Sequence, residues 1–174
     1  MALIKDIEGV LPQIDHTCYL AETAVVIGKT KIGKNSSVWF NAVIRADVNE
    51  IHIGDYTNIQ DNACVHCTFQ KAATVIGNYV TVGHNAVVHG CKVENNALIG
   101  MGAVVMDEAV IGEGAIVAAG AVITEKTIVP PGTIWAGVPA KQVKELNKEK
   151  VMQYLGAHAE RYHNYTKWWY TEEK

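Results

Sequence analysis

Three of the seven histidines stand at positions where they could bind one metal ion, provided that the chain brings them together. His66 and His89 each directly follow a valine, and His84 lies five residues before His89. Three neutral imidazoles with a fourth position open to water form a common catalytic zinc site. The chemistry therefore depends on the structural elements that carry these histidines.

A repeat of six residues fills most of the chain. Aliphatic residues recur at every sixth position in two uninterrupted runs, which are Leu20, Val26, Ile32, Val38, Ile44 and Val93, Ile99, Val105, Ile111, Val117, Ile123, Val129. Four positions after each of them the residue is small or β-branched. This period is too short for a helical repeat and does not match plain strand alternation, but it fits a parallel β-helix with three short walls per coil. We predict an all-β solenoid, a parallel β-helix of about six triangular coils over residues of about 15–140.

The last part of the chain has a different period. Pro130, Pro131 and Gly132 interrupt the six-residue repeat. After Asn147, a residue type that favours the N-cap position, one stripe has helical spacing: Val151, Tyr154, Leu155, His158, Tyr162, Tyr165 and Trp169. We expect a C-terminal α-helix at about 145–170 packed alongside the β-helix, within a single domain of residues 1–174.

The repeat also places the histidines. His66 and His89 occupy equivalent positions in adjacent coils of one wall, so their side chains should stack at the strand spacing of about 4.8 Å. Arg45 lies one coil below His66 on that wall. His84 lies on the preceding wall, above Asp61, and faces away from the other two histidines. A three-histidine site then needs a neighbouring copy, as in a threefold trimer. The alternatives are a packing ladder of histidines or one histidine that acts as a base without a metal.

The sequence around these positions resembles the gamma-class carbonic anhydrases and their close bacterial relatives, in the hexapeptide-repeat superfamily. The resemblance covers nearly the whole chain and rests on Ile44-Arg45-Ala46-Asp47, Asn58-Ile59-Gln60-Asp61-Asn62, Val65-His66, Gly83-His84 and Val88-His89-Gly90-Cys91. It implies a left-handed β-helix and a homotrimer with metal at its subunit interfaces, where His66 and His89 come from one subunit and His84 from its neighbour. The implied metal is Zn²⁺, with Fe²⁺ or Co²⁺ as alternatives, since imidazole ligands do not distinguish them.

The resemblance further implies the reversible hydration of carbon dioxide to bicarbonate, in which a metal-bound hydroxide attacks the carbon. Gln60 matches a residue that orients the metal-bound water. Arg45, Asp47 and Asp61 match charged residues that link subunits near the site, although Arg45 alone could instead attract bicarbonate. Tyr165 matches a tyrosine of the C-terminal helix that projects into the pocket, and the alternative is an ordinary packing role.

One segment departs from the family pattern. The best-characterised branch carries a proton-transfer glutamate in an acidic loop, whereas residues 67–74 contain no carboxylate. Low carbonic anhydrase activity is therefore expected. Three other functions stay open: a hexapeptide-repeat acyltransferase, favoured by the Gly-Val-Pro-Ala-Lys segment at 137–141, a metal-dependent thioesterase, and a catalytically silent assembly subunit.

Composition restricts the partners. The net charge of −3 argues against nucleic acid or an anionic membrane, and no apolar run of about 18 residues predicts a membrane span. The first residues lack the features of a secretory signal, so we expect a cytoplasmic protein. Cys64 and Cys67 form a CxxC inside the repeat, where we expect one to pack inward and the other to face outward.

Overall fold

A computed structural model describes residues 1–169, which form 20 strands and one α-helix. The strands are β1 (Leu3–Lys5), β2 (Gln13–Ile14), β3 (Tyr19–Leu20), β4 (Val25–Ile32), β5 (Ser37–Val38), β6 (Val43–Ile53), β7 (Asn58–Ile59), β8 (Cys64–His66), β9 (Thr74–Ile76), β10 (Thr81–Val82), β11 (Val87–His89), β12 (Lys92–Val93), β13 (Leu98–Ile99), β14 (Val104–Val105), β15 (Val110–Ile111), β16 (Ile116–Val117), β17 (Val122–Ile123), β18 (Ile128–Val129), β19 (Thr133–Gly137) and β20 (Ala140–Glu145). The helix is α1 (Lys148–Thr166).

Strands of one wall stack in parallel, and from β7 onward every third strand belongs to the same wall. β8 pairs with β11 and β11 with β14, in the register Val65–Val88–Val105. The predicted parallel β-helix is confirmed, but it has about seven turns rather than about six. The difference arises because β1 and β2 stack on β4 before residue 15, where the six-residue repeat is not visible.

The inward residues of the repeat form the core. Of the twelve aliphatic residues in the two runs, all except Leu20 are at most 2% exposed. Burial of each such side chain contributes about 1.5–3 kcal/mol, and the alanines at the corners are buried as well. The stacked aliphatic column therefore accounts for the stability and register of the coils.

One stacked corner positions part of the site. Its residues share a positive φ: Asn41, Asn62, Asn85, Gly102 and Gly120. Asparagine and glycine tolerate this left-handed conformation better than other residues. Asp61 and His84 directly precede Asn62 and Asn85, so the turn sets the direction of both candidate side chains.

The helix packs against the wall formed by β5, β7 and β10. The Asn147 side chain accepts a hydrogen bond from the backbone N–H of Lys150, which confirms it as the N-cap. Leu155 is buried, whereas Tyr154 of the predicted stripe is 62% exposed. Residue 170, the last of the predicted helical range, lies outside the described residues.

The CxxC residues behave as their place in the repeat predicts, since Cys67 is buried and Cys64 is partly exposed. Across residues 1–169, no helix is both long and apolar enough to cross a membrane.

Candidate metal centre

Two histidines meet on one wall. His66 at the end of β8 and His89 at the end of β11 are direct register partners, which confirms the predicted stack. Nδ1 of His66 lies 3.0 Å from Nε2 of His89. In a tetrahedral zinc site with Zn–N bonds of about 2.0–2.1 Å, two ligating nitrogens lie about 3.3 Å apart. The observed separation is that of a hydrogen bond between the two rings, and it is within a few tenths of an ångström of the spacing of two imidazole ligands of one metal ion.

A carboxylate lies behind each of these rings. Nε2 of His66 is 2.9 Å from Oδ1 of Asp47, and Nδ1 of His89 is 2.5 Å from Oδ1 of Asp107. A carboxylate accepts a hydrogen bond, so it keeps the ring proton on the nitrogen that faces it. The two nitrogens that face each other are then left with lone pairs, which is the state in which imidazole binds a metal.

The two carboxylates are themselves held in place. Asp47 accepts a hydrogen bond from Arg45, and Asp107 accepts one of 2.5 Å from the Thr68 hydroxyl. Desolvation acts to raise the pKa of Asp47, but the hydrogen bonds from His66 and Arg45 outweigh it and hold that pKa below its usual range. Both groups stay ionised at neutral pH, because the pKa of Asp107 is lowered in the same way, with desolvation outweighed by its hydrogen bonds.

The third histidine lies at the stacked corner, on another side of the coil. Nδ1 of His84 is 2.8 Å from Oδ2 of Asp61, as the repeat predicted, and the side chain is 37% exposed. The Asp61 carboxylate also accepts a hydrogen bond from the backbone N–H of Phe40. Within residues 1–169 of one chain, no three His, Cys, Asp or Glu side chains are grouped so as to hold a metal ion. One chain therefore joins His66 to His89 and presents His84 elsewhere.

A cavity of about 340 Å³ lies beside His84, between the wall and α1. Gln60, His158 and Tyr162 line it together with aliphatic residues of β13 and β16. Gln60 is only 4% exposed, and its Nε2 donates to Oδ1 of Asn58 at 3.0 Å. Its burial fits a residue that presents its amide in one fixed direction.

The tyrosine that lines this cavity is Tyr162. Tyr165, which the resemblance pointed to, is partly buried and contacts Tyr162 edge-to-face at 5.4 Å between ring centroids. Burial raises the pKa of Tyr162, so its hydroxyl stays protonated at neutral pH. Within the chain, Tyr165 therefore supports the tyrosine that lines the cavity.

Asp107 is a candidate site residue that sequence reasoning missed. It lies one coil above Gly90, whose φ is +53°, and a Cβ on that glycine would lie 2.6 Å from Oδ1 of Asp107. The missing side chain at position 90 leaves room for the carboxylate to reach His89. A glycine next to a candidate ligand, with an aspartate above it in the repeat, was the available signal.

The chain matches a family described as "Bacterial transferase hexapeptide (six repeats)" over residues 73–106 and 90–125. It is 54% identical over 138 residues to a "Probable carbonic anhydrase" of Methanocaldococcus jannaschii, covering 79% of this chain and 86% of that protein. It is 44% identical over 151 residues to a "Carbonic anhydrase" of Geobacillus kaustophilus, covering 87% and 82%. "Gamma carbonic anhydrase 2, mitochondrial" of Arabidopsis thaliana is 44% identical over 158 residues, or 88% of this chain, which spans only 56% of that plant relative.

Solved structures give the same architecture. A putative acetyltransferase of Bacillus cereus superposes with a TM-score of 0.89 at 35% identity, covering 95% of this chain and 97% of the other. A hexapeptide transferase family protein of Anaplasma phagocytophilum superposes with a TM-score of 0.89 at 43% identity, covering 95% and 96%.

Proposed function

We propose that this chain, which belongs to the gamma carbonic anhydrase-like family of hexapeptide-repeat proteins, catalyses the reversible, metal-dependent hydration of carbon dioxide to bicarbonate. One observation carries the proposal: each of His66, His84 and His89 has one ring nitrogen on a carboxylate. Metal-ligating histidines typically have such a partner, which fixes the tautomer and raises the basicity of the other nitrogen. These three contacts, at 2.5–2.9 Å, are shorter than the 3.4 Å contact of His52 with Glu50, and a packing ladder would not require them.

The proposed assembly is a homotrimer in which His66 and His89 of one subunit meet His84 of the next. The chain offers two converging imidazoles on one wall and a third, partly exposed, at a corner, which suits a site completed between copies. The proposed metal is Zn²⁺, and Fe²⁺ or Co²⁺ would suit the same nitrogen donors. Such an ion, when bound, supplies a water that ionises near neutral pH.

The protein side chains hold and orient the reactants. The Gln60 amide gives one hydrogen to Asn58 and also donates toward the Tyr162 hydroxyl, which leaves its carbonyl oxygen to orient water. Asp47, anchored by Arg45, fixes the ring of His66, and Asp61 fixes the ring of His84. We assign Arg45 this anchoring role rather than a role in attracting bicarbonate, because its guanidinium already bonds to Asp47.

Proton export is expected to limit the rate. Residues 67–74 carry no carboxylate, and Glu50, the first glutamate after Asp47, is already paired with Lys29 at 3.0 Å and with His52 at 3.4 Å. Such an engaged carboxylate is a poor proton acceptor, so a low turnover fits the proposal. The cytoplasmic location stays a prediction from the sequence.

The test is metal content per chain of anaerobically purified protein, combined with stopped-flow carbon dioxide hydration before and after chelation. About one metal per chain with hydration that the chelator removes is the expected result. The control is His52→Ala, because His52 also pairs with a carboxylate but lies on the next wall, and this variant should retain both metal and activity. Metal without any hydration would overturn the anhydrase proposal in favour of a thioesterase or an assembly subunit.

A mixing experiment tests the assembly. His66→Ala and His84→Ala chains should each lack metal when purified alone, because every site loses one ligand. Mixed trimers should regain metal where an intact His66–His89 pair from one chain meets an intact His84 from the other. If mixing never restores metal binding, ligation between subunits is wrong.

Acyl transfer is the second candidate function. It is favoured by the transferase description of the matching family and by the acetyltransferase name of a structure 35% identical to this chain. This alternative predicts acetyl-CoA binding that persists after chelation, since a single histidine base suffices for acyl transfer. Isothermal titration with acetyl-CoA in the presence of a chelator separates the two candidates.

A further inference from the structure

A chain of buried hydrogen bonds connects Gln60 to the C-terminal helix. Nε2 of Gln60 donates to Oδ1 of Asn58 at 3.0 Å, and Nδ2 of Asn58 donates to Oγ1 of Thr81 at 3.0 Å. Oγ1 of Thr81 lies 3.2 Å from Nδ1 of His158. Gln60, Asn58 and Thr81 are each at most 4% exposed, so water does not compete with these bonds. The chain therefore runs from the candidate site to a titratable group on α1.

A backbone carbonyl fixes the orientation of the Asn58 amide. Nδ2 of Asn58 is 3.4 Å from the Val80 oxygen, which can only accept, so the nitrogen of the Asn58 amide must face it. The Asn58 oxygen then faces Gln60, so the Gln60 amide must donate to it through its nitrogen. Thr81 already accepts from Asn58, so its hydroxyl hydrogen is available for Nδ1 of His158. When His158 is neutral with its proton on Nε2, its Nδ1 accepts this hydrogen, so the Thr81 hydroxyl is then paired as both donor and acceptor.

The surroundings of His158 favour this neutral form. The side chain is half-buried, and its ring contacts Tyr162 at 5.5 Å between centroids. Burial, followed by the positive charge of Arg161 on the same helix, holds the pKa of His158 below its ordinary value of 6.5. Across the cavity stand Gln60 and His84, whose Nδ1 is bound to Asp61. A protonated His158 would direct an N–H at a Thr81 oxygen that already accepts one hydrogen bond, and the Thr81 hydrogen would lose its acceptor.

We propose that His158 is a positioning residue for Gln60, acting through Thr81 and Asn58 to hold the Gln60 amide with its oxygen directed away from Asn58. The consequence for catalysis rests on the proposed function, in which this amide orients water. Breaking the chain at Thr81 or His158 weakens the constraint on the amide orientation, because the Asn58 nitrogen then keeps only its 3.4 Å bond to the Val80 oxygen. Gln60 would then sample two orientations, and one of them would present a donor where an acceptor is needed.

Two pairs of variants test the chain by hydration kinetics in zinc-loaded protein. Thr81→Val keeps the shape but removes the hydroxyl, and His158→Ala removes the acceptor, so each should lower kcat roughly fivefold to tenfold with little change in KM or metal content. Thr81→Ser restores a hydroxyl, and His158→Asn places an uncharged acceptor near the position of Nδ1, so both should recover most of the rate. His163→Ala, on the same helix but against Tyr56, should leave kcat unchanged.

A double variant provides a further check. Thr81→Val and His158→Ala break adjacent links of one chain, so the double variant should be no slower than the slower single variant. Multiplied losses in the double variant, or no loss in either single variant, would overturn the proposal. The proposal would also be overturned if Thr81→Ser and His158→Asn failed to recover kcat. Losses that persist after the hydroxyl or the acceptor is restored would come from a structural defect and not from the broken hydrogen bonds.

A spectroscopic measurement separates this proposal from the proposed function. The side-chain ¹⁵N–¹H signals of Gln60, assigned with Gln60→Glu, should shift with the protonation of His158 in the wild-type protein and lose that dependence in Thr81→Val. This coupling without carbon dioxide hydration would reject the proposed function and retain the positioning chain. If carbon dioxide is hydrated but the Gln60 signals do not shift with the protonation of His158, the proposed function stands and the positioning role of His158 is rejected.

Discussion

The coils that carry the histidines and the regular coils above them have the same interior and different exteriors. On one wall, the inward residues Val65, Val88 and Val105 are all fully buried in the same register. The outward residue that follows each of them is histidine in the first two coils and Met106 in the third. The inward column specifies the fold, and the outward column is free to carry chemistry because its side chains contribute little to the core.

Adjacent residues should therefore have opposite mutational effects, and this is the largest contrast that we predict. Val88→Ala leaves a cavity in a fully buried column and should destabilise the protein by roughly 2–3 kcal/mol while metal binding is retained. His89→Ala should abolish metal binding and hydration with little loss of stability. Urea unfolding of metal-free protein and metal content measure the two effects. Equal destabilisation by both variants would show that the outward column also maintains the fold.

The carboxylate behind His89 tests whether the outward column works as a unit. Asp107→Asn keeps the shape but weakens the hydrogen bond to Nδ1 of His89, so zinc affinity should fall roughly 10–100-fold. Competition with a chromophoric chelator measures the affinity. The matched control is Asp55→Asn, a corner aspartate whose Oδ1 accepts from the backbone N–H of Lys34 away from the histidines. If both variants bind zinc like the wild type, Asp107 does not support His89.

Replacing Gly90 should lower zinc affinity more than replacing another glycine that has the same positive φ. Gly90→Ala and Gly102→Ala both place a side chain at positive φ, which costs about 1–2 kcal/mol. The new Cβ meets Oδ1 of Asp107 at position 90 and nothing within 4 Å at position 102. Zinc affinity should therefore fall several-fold in Gly90→Ala only. A similar loss in both variants would mean that backbone strain, rather than the displaced carboxylate, disturbs the site.

The same comparison explains what the sequence could predict. The register of inward aliphatics predicted that His66 stacks on His89 and His84 on Asp61, because one buried column fixes every position of a coil. The inward register alone did not single out Asp107, because the contact depends on a side chain that crosses to the coil below through the space left by Gly90. The division of the helical stripe, with Tyr162 lining the cavity and Tyr165 packed against it, depends on how α1 packs against β5, β7 and β10. The role of Tyr165 in a pocket between subunits stays a prediction.

The smallest predicted effect concerns the pH dependence of the unfolding free energy that His158 on α1 contributes. The pKa of His158 lies below its ordinary value of 6.5 because of burial, and then because of Arg161. The folded state thus binds this proton less readily than the unfolded state, so the stabilising contribution is complete above the unfolded pKa and is lost as the pH falls through the folded pKa.

His158→Asn removes this titration, and its unfolding free energy should fall less than that of the wild type as the pH is lowered from 7.5 toward 5. Urea unfolding at fixed protein concentration, with a chelator present, measures the difference, and His163→Asn serves as the control. Parallel curves for wild type and His158→Asn would mean that protonation of His158 does not oppose the packing of α1 on the wall, and the positioning chain would lose its pH dependence.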